Sequence, residues 1–79
     1  MNKTVTLTAA AQSAYALLGS DIRYPRGVQL TLGSGTVNYG GKDHQDAVLV
    51  GTTEVLPVDN LKNLWLRGAG ATVTILVFA

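Results

Sequence analysis

The residues best suited to chemistry lie together in one polar segment. Residues 40–46 read Gly-Gly-Lys-Asp-His-Gln-Asp and include Asp43, His44 and Asp46, side chains that can bind metals or exchange protons. On a strand, residues 44 and 46 would share a face. Metal sites usually need three or four ligands on a rigid frame, and the flanking glycines supply none. We therefore interpret the segment as a solvated surface loop that holds no metal and no acid–base pair.

Glycine-rich motifs and serine nucleophiles give no stronger signal. Gly33-Ser34-Gly35 and Gly68-Ala69-Gly70 each precede a Thr-Val pair that starts a strand, whereas phosphate-binding loops precede a helix. The serines lie far in sequence from the single histidine, and no Gly-x-Ser-x-Gly motif is present. These patterns predict turns, and a chain that is not an enzyme and uses no cofactor or small-molecule substrate.

Aromatic residues next to arginines are candidates for recognition. Arg26 follows Tyr24 by two positions, and Arg67 follows Trp65 by two. Proteins that bind single strands combine such aromatics with a basic groove. Aromatics at alternate strand positions are more often part of a core or a subunit interface. If the leucines on either side of Trp65 face the core, Trp65 faces outward and is typical of an interface anchor.

Composition favours contacts with other protein chains. The chain has 79 residues, enough for one domain, and lacks the cysteines that staple many small domains. Charged residues make up 14%, against about 25% in typical soluble domains, so part of the surface is expected to face protein. Six scattered basic residues and a net charge of +1 argue against nucleic acid. No targeting segment and no membrane-length apolar run is visible.

The N-terminal part predicts a strand followed by a helix or an arm. Residues 3–8 alternate Thr with apolar residues, which is typical of a half-buried strand. Residues 9–18 contain five alanines, with Thr8 as a possible cap and Gly19 as a stop. A helix of this length forms only when it is packed, so an extended arm stays open as an alternative for this part of residues 1–20.

The rest of the chain predicts short strands separated by turns. Residues 28–32 and 36–39 are expected to form a β-hairpin around Gly33-Ser34-Gly35. Pro57 places residues 52–58 at an edge or a strand end, and residues 59–63 read as a turn or a single 3₁₀ turn. Further strands are predicted at residues 64–67 and 72–78. The expected fold is one mainly β domain spanning residues 1–79, a small antiparallel β-sandwich or jelly-roll-like barrel with at most one short helix near residues 9–18.

The last strand changes character halfway along. Residues 72–74 alternate, whereas residues 75–78 are apolar without interruption, a pattern of strands that are buried on both faces. A two-layer sandwich buries one face of each strand, so the second face needs the helical segment or another subunit. The predicted interface therefore comprises Tyr24, Arg26, Trp65, Arg67, Ile75, Leu76, Val77 and Phe78.

One resemblance joins several of these elements. The motifs are Val37-Asn38-Tyr39-Gly40-Gly41, a polar loop, Leu61-Lys62-Asn63-Leu64-Trp65-Leu66-Arg67-Gly68, and the terminal strand Thr72-Val73-Thr74-Ile75-Leu76-Val77. Over residues 26–78 the chain resembles small virion proteins of tailed bacteriophages. The resemblance implies an antiparallel β-sandwich or jelly-roll-like module that decorates or cements a capsid, or lies in the head–tail or tail region. No functional residues follow from it.

The expected function is thus a structural virion protein, a capsid decoration or cement protein that stabilises the phage head. The alternatives are a head–tail connector or tail component in low copy, and a small carbohydrate- or single-strand-binding module. The expected partners are further copies of the chain, with a trimer preferred from the resemblance, and the major capsid protein or another virion protein. Nucleic acid and membrane are not expected as partners. The expected location is the phage particle, after synthesis in the host cytoplasm.

Overall fold

The computed structural model describes residues 2–19, 26–58 and 60–78, which fold into two antiparallel sheets. The strands are β1 (Asn2–Thr6), β2 (Gln12–Ser13), β3 (Gly27–Ser34), β4 (Asn38–Gly40), β5 (Ala47–Val48), β6 (Trp65–Arg67) and β7 (Thr72–Phe78). A helix, α1 (Ala14–Leu18), follows β2, and a 3₁₀ helix (Leu61–Asn63) precedes β6. The mainly β fold with one short helix confirms the predicted class, and the sheets do not close into a barrel.

The long sheet has the strand order β1-β7-β3. β7 is its centre and pairs in antiparallel fashion with β1 from Thr6↔Thr72 to Asn2↔Leu76, and with β3 from Ser34↔Thr72 to Gly27↔Phe78. Residues 51–56 run along the free edge of β3, where the Leu56 and Thr53 amides donate to the carbonyls of Val28 (2.7 Å) and Leu30 (2.9 Å). This irregular stretch before Pro57 agrees with the predicted edge position.

The short sheet has the strand order β2-β6-β4-β5, with two or three residues in each strand. Trp65 of β6 lies opposite Ser13 on one side and Gly40 on the other. β4 and β5 are joined by the polar segment 41–46, which forms the predicted surface loop. So short a sheet depends on its contacts with the long sheet, since isolated strand pairs of this size are unstable in water.

One core lies between the two sheets and includes α1. The long sheet contributes Val28, Leu30, Val73 and Ile75, all fully buried, and the short sheet contributes Leu66. Val37 and Leu49 join this cluster from the connections, where the Leu49 amide donates to the Val37 carbonyl at 2.9 Å. Inward positions alternate with outward ones along both long strands, as half-buried strands require.

The apolar run at residues 75–78 is divided between two faces. Ile75 and Val77 are 0% and 3% exposed in the core of their own chain, while Leu76 is partly buried and Phe78 is 38% exposed on the other face. The expectation that all four contact a neighbouring subunit is therefore corrected for Ile75 and Val77. These two side chains are covered from within because β7 is the central strand and packs against the core shared with the short sheet.

The helix is shorter than residues 9–18 and has a different cap. Residues 9–11 are irregular, β2 follows, and the Ser13 hydroxyl accepts a hydrogen bond from the Ala16 amide at 3.1 Å. The Thr8 hydroxyl, the predicted cap, donates instead to the Ala10 carbonyl at 3.0 Å. Gly19 ends the helix with φ of 67°, as predicted, because glycine adopts this conformation without a Cβ penalty. Within the described residues no helix has the length and apolar character to cross a membrane.

The predicted hairpin between residues 28–32 and 36–39 is wrong, because β3 and β4 belong to different sheets. Gly35, with φ of 76°, turns the chain out of the long sheet, and Val37 then enters the core. β3 pairs with β7 over seven positions, whereas a local hairpin would have offered about half as many. The partner strand β7 is far away in sequence, since even the nearest pair, Ser34 and Thr72, is separated by 38 residues. A pattern within a few adjacent residues cannot predict such a pairing.

Candidate functional site

The loop that carries the ionisable residues is stabilised by hydrogen bonds between its own residues. The Gln45 side-chain amide donates to the carbonyls of Gly41 (2.7 Å) and Lys42 (2.9 Å), while Asp43, His44 and Asp46 are exposed. The loop folds back over β4, since a Cβ at Gly40 would overlap the His44 carbonyl oxygen. Among the residues that the structure describes, no three His, Cys, Asp or Glu side chains gather where they could hold a metal.

Gly68-Ala69-Gly70 contains the predicted turn, whereas Gly33 and Ser34 are the last residues of β3 and only Gly35 lies in the bend that follows, so the first turn was predicted two residues too early. Gly35 and Gly70 have φ of 76° and 73°, in the left-handed region that glycine favours. The turns meet at Ala71, which is buried and lies against Gly35. Their role is to bring the connection between β3 and β4 close to the connection between β6 and β7.

Trp65, Lys62 and Tyr15 form a small cluster at the short sheet, in which Lys62 links the two aromatic residues. The Trp65 indole N–H donates to the Lys62 carbonyl at 2.7 Å, and the Lys62 ammonium lies 4.9 Å from the centre of the Tyr15 ring. Leu64 and Leu66 are buried on the other side, so the predicted alternation around Trp65 is confirmed. The half-buried Trp65 is thus fixed in place, and Tyr15, 37% exposed, is the more accessible ring.

The predicted interface residues do not form one patch. Trp65 and Arg67 are on the outer side of the short sheet, where Arg67 lies opposite Asn38. Arg26 and Phe78 are at one end of the long sheet, where the Arg26 amide donates to the Phe78 carbonyl at 2.7 Å. Tyr24 lies outside the described residues. The structure therefore separates two groups that sequence proximity had suggested were neighbours.

A different surface is the most regular one in the molecule. The outer side of the long sheet is built from β1, β7, β3 and the edge residue Thr52, and we call it the threonine face. Cross-strand partners share a side of a sheet, which assigns to this face Asn2, Thr4, Thr6, Gly27, Gln29, Thr31, Ser34, Thr52, Thr72, Thr74, Leu76 and Phe78. None of these twelve residues is charged.

Hydroxyl groups on the threonine face bind one another across the strands. The Oγ1 atoms of Thr4 and Thr74 are 2.8 Å apart, and those of Thr31 and Thr52 are 3.2 Å apart. Ser34 Oγ and Thr72 Oγ1 form a third pair at 2.9 Å. A row of threonines, Thr4-Thr74-Thr31-Thr52, thus crosses the whole sheet. The Thr-x-Thr spacing in β1 and β7 indicated outward threonines, but only the pairing register places them side by side.

Large apolar side chains are exposed at several points. Val48, in the edge strand β5 of the short sheet, is 56% exposed, Val50 just after it is 82% exposed, and Val55 is 51% exposed. Val55 lies close to Gly27, at the same end of the long sheet as Phe78. Exposed apolar side chains that lie together mark contact surfaces more often than isolated ones do.

The chain matches no protein-family model, and neither a search of curated proteins nor one of solved structures found a significant match. The resemblance to phage virion proteins therefore rests on the sequence motifs of residues 26–78 alone.

Proposed function

We propose that this protein is a structural subunit that binds other protein chains in an assembly. The observation that carries the proposal is the exposure of Val48 and Val50 in a chain of 79 residues with few charged side chains. Burial of an apolar side chain of this size is favourable by about 1–2 kcal/mol relative to exposure in water. A protein bound over Val48 and Val50 would gain this free energy for each side chain.

The specific assembly that we propose is the head of a tailed phage, with the chain as a decoration or cement protein on the major capsid protein. The sequence resemblance over residues 26–78 supports this role. The two sheets also support it, since their outer sides differ in chemistry. A cement protein needs one surface for the shell, and we assign it to the Val48–Val50 edge.

Copy number tests the proposed role. Phage particles from the source culture are purified, and the chain is quantified by mass spectrometry against the major capsid protein. A decoration protein should be present in numbers comparable to those of the capsid subunits, and particles stripped of it should lose heat resistance. Roughly a dozen copies or fewer, the number that fits a closed ring, would favour the connector or tail alternative.

Point variants test the assigned edge. The double variant Val48→Ser with Val50→Ser should lower binding to stripped particles at least about tenfold, because about 2 kcal/mol of apolar burial is lost. Val55→Ser is the matched control, since Val55 is exposed to a similar degree at the long sheet. Equal binding by all variants would contradict the assignment of the Val48–Val50 edge to the shell.

A second candidate is a binding module for carbohydrate or single strands, which the Tyr15–Lys62–Trp65 cluster favours. Tyr15 offers an exposed ring with a cation beside it, the combination that stacking ligands use. Tyr15→Ala would then abolish ligand binding in a glycan and oligonucleotide array while the chain stays folded. An array without any binding by the unmodified protein would exclude this candidate.

A further inference from the structure

We propose that the free edge of β5 binds an extended segment of the partner protein, which joins the four-stranded short sheet as a further strand. The proposal rests on the assembly function above and deepens it, because it states how the Val48–Val50 edge binds and what kind of segment it binds. Strand addition takes its affinity from main-chain hydrogen bonds and its specificity from alternate side chains.

The backbone of β5 offers unpaired groups on its outer edge. β5 pairs with β4 on one side only. The Leu49 amide donates to the Val37 carbonyl at 2.9 Å, so the backbone groups of Leu49 point toward β4. Backbone groups alternate in direction along an extended strand, and those of Val48 therefore point toward the free edge. Within the described parts of the chain, no hydrogen bond involves the amide of Val48 or Val50.

The free edge of β5 is open to solvent. Asp46, Ala47 and Val48 are all exposed, and Val50 is 82% exposed. Val48 and Val50 lie on the outer side of the sheet, because Leu49 between them is buried in the core. An added strand would thus bind the backbone at Val48 and cover both valine side chains.

Among the four sheet edges of the described residues, the other three are protected against strand addition. The free edge of β1 carries Lys3, which is exposed and lies on the inner side of the sheet because its partner Ile75 is buried. An inward-pointing charge on an edge strand opposes pairing with another strand. Residues 51–56 cover the edge of β3, and β2 continues directly into α1. Residues 47–50 contain neither a charged side chain nor a proline, which singles out β5 as the edge that can accept a strand.

The charges around this edge indicate the chemistry of the segment. Asp43, Asp46 and Glu54 are exposed, and Lys42 is the single lysine or arginine among residues 40–56. This stretch is therefore acidic in a chain with a net charge of +1. A second copy would bring further carboxylates to the same edge, whereas a basic residue in the added segment would complement them. The occupant we expect is a segment with small apolar residues at alternate positions and a lysine or arginine beside them.

The first test is an NMR titration of the full isotope-labelled chain with a capped synthetic peptide. The peptide has about eight residues, in which valine and threonine alternate, with a lysine at one end. We expect a Kd of about 1 mM or below, because β5 is short and offers few main-chain hydrogen bonds. Chemical shifts should change at β5 and at Asp46. A peptide that causes no change at about five times this concentration would overturn the proposal.

N-methylated peptides test whether strand pairing is responsible for the binding. Residues opposite Val48 and Val50 share their outer side and direct their own amides toward β5, so the valines of the peptide should take these positions. N-methylation of the valine amides should weaken binding at least about tenfold, because it removes the donors that face β5. N-methylation of the threonine amides is the matched control and should leave binding unchanged. Equal binding by the two peptides would contradict strand addition.

A variant of the protein removes the corresponding donor of β5. Val48→Pro eliminates an amide that the fold does not use, and proline is tolerated in an edge strand where its nitrogen faces solvent. This variant should bind the peptide at least about tenfold more weakly. Val48→Thr is the matched control, since it keeps the amide and a branched side chain, and it should bind within about threefold of the unmodified chain. Thermal melts check that both variants are folded.

Hydrogen exchange gives a measurement that needs no variant. The Val48 amide should exchange rapidly in the free chain and at least about tenfold more slowly with the edge saturated by peptide. The Leu49 amide is the internal reference, because its bond to Val37 protects it in both states. Slower exchange of Val48 at high protein concentration without peptide would mean that a second copy occupies the edge, which would overturn the proposed occupant.

Phage particles separate the failure of this proposal from the failure of the virion role. If Val48→Pro binds stripped particles as well as the unmodified chain does, strand addition is wrong and the virion role stands. If the chain binds the peptide through β5 but binds no particle, the virion role is wrong and strand addition at β5 stands.

Discussion

The two sheets of this protein differ in strand length and in the chemistry of their outer sides. The long sheet has strands of five to eight residues and an uncharged outer side on which hydroxyls pair with one another. The short sheet has strands of two or three residues, a charged loop, and an outer side with Trp65 and Arg67. Long regular pairing produces a surface with a defined repeat, while short strands leave room for irregular loops. One chain thereby presents two chemically distinct surfaces over a single core.

The largest expected effects come from the core that both sheets share. Ile75→Ala in the long sheet and Leu66→Ala in the short sheet should each lower the free energy of unfolding by about 2–5 kcal/mol, since both side chains are fully buried. Urea unfolding is followed by far-UV circular dichroism and by the fluorescence of the single tryptophan, which lies in the short sheet.

The two probes should give one coincident transition for both variants, because a shared core unfolds as a unit. Val50→Ala is the control at an exposed site and should change stability by about 0.5 kcal/mol or less. A Leu66→Ala variant whose fluorescence transition separates from the circular dichroism transition would show that the short sheet unfolds alone.

An intermediate effect is expected at the loop of the short sheet. Gly40→Ala should cost about 1–3 kcal/mol, because its Cβ would overlap the His44 carbonyl oxygen and push the loop away from β4. Its neighbour offers a matched control: Gly41→Ala meets nothing within 4 Å and should be close to neutral. Thermal melts of the two variants measure the difference. Equal melting temperatures would mean that the loop does not rest on β4.

The smallest effect is expected on the threonine face. Thr4→Val removes one hydroxyl of the Thr4–Thr74 pair and should cost about 0.2–1 kcal/mol. The double variant Thr4→Val with Thr74→Val should cost less than the sum of the single variants, because neither hydroxyl is then left without its partner. Strict additivity in urea titrations would contradict a direct bond between the two.

Local patterns identified the long strands, the end of the helix and several solvent-facing sides. Alternation identified β1, β3 and β7, glycine marked the end of α1 at Gly19, and the leucines around Trp65 indicated its outward side. These signals are local because backbone conformation and the period of side chains depend on adjacent residues. Thr8 as a cap and the start of the helix at residue 9 were local errors. Ser13, with alanine following it, was an equally good candidate, and only packing of β2 against β6 selects it.

The candidate surface was harder to predict than the fold. Outward threonines in β1 and β7 follow from alternation, but their union with Thr31 and Thr52 depends on which strands are neighbours. The same applies to Trp65 and Phe78, which were expected at one interface and lie on different sheets. A pattern within one strand has no information about the strand beside it.

The amino-acid sequence by itself determined that this is a small β domain with short strands, glycine turns and few charged side chains. Only the tertiary structure decided that β3 pairs with β7 and not with β4, and that Ile75 and Val77 turn inward while Leu76 and Phe78 turn outward. The physical reason is that all segments of the chain compete for the same strand partners and the same positions in the core. β7 offers β3 the longest ladder, and the short sheet closes over the side of β7 that would otherwise need a neighbour.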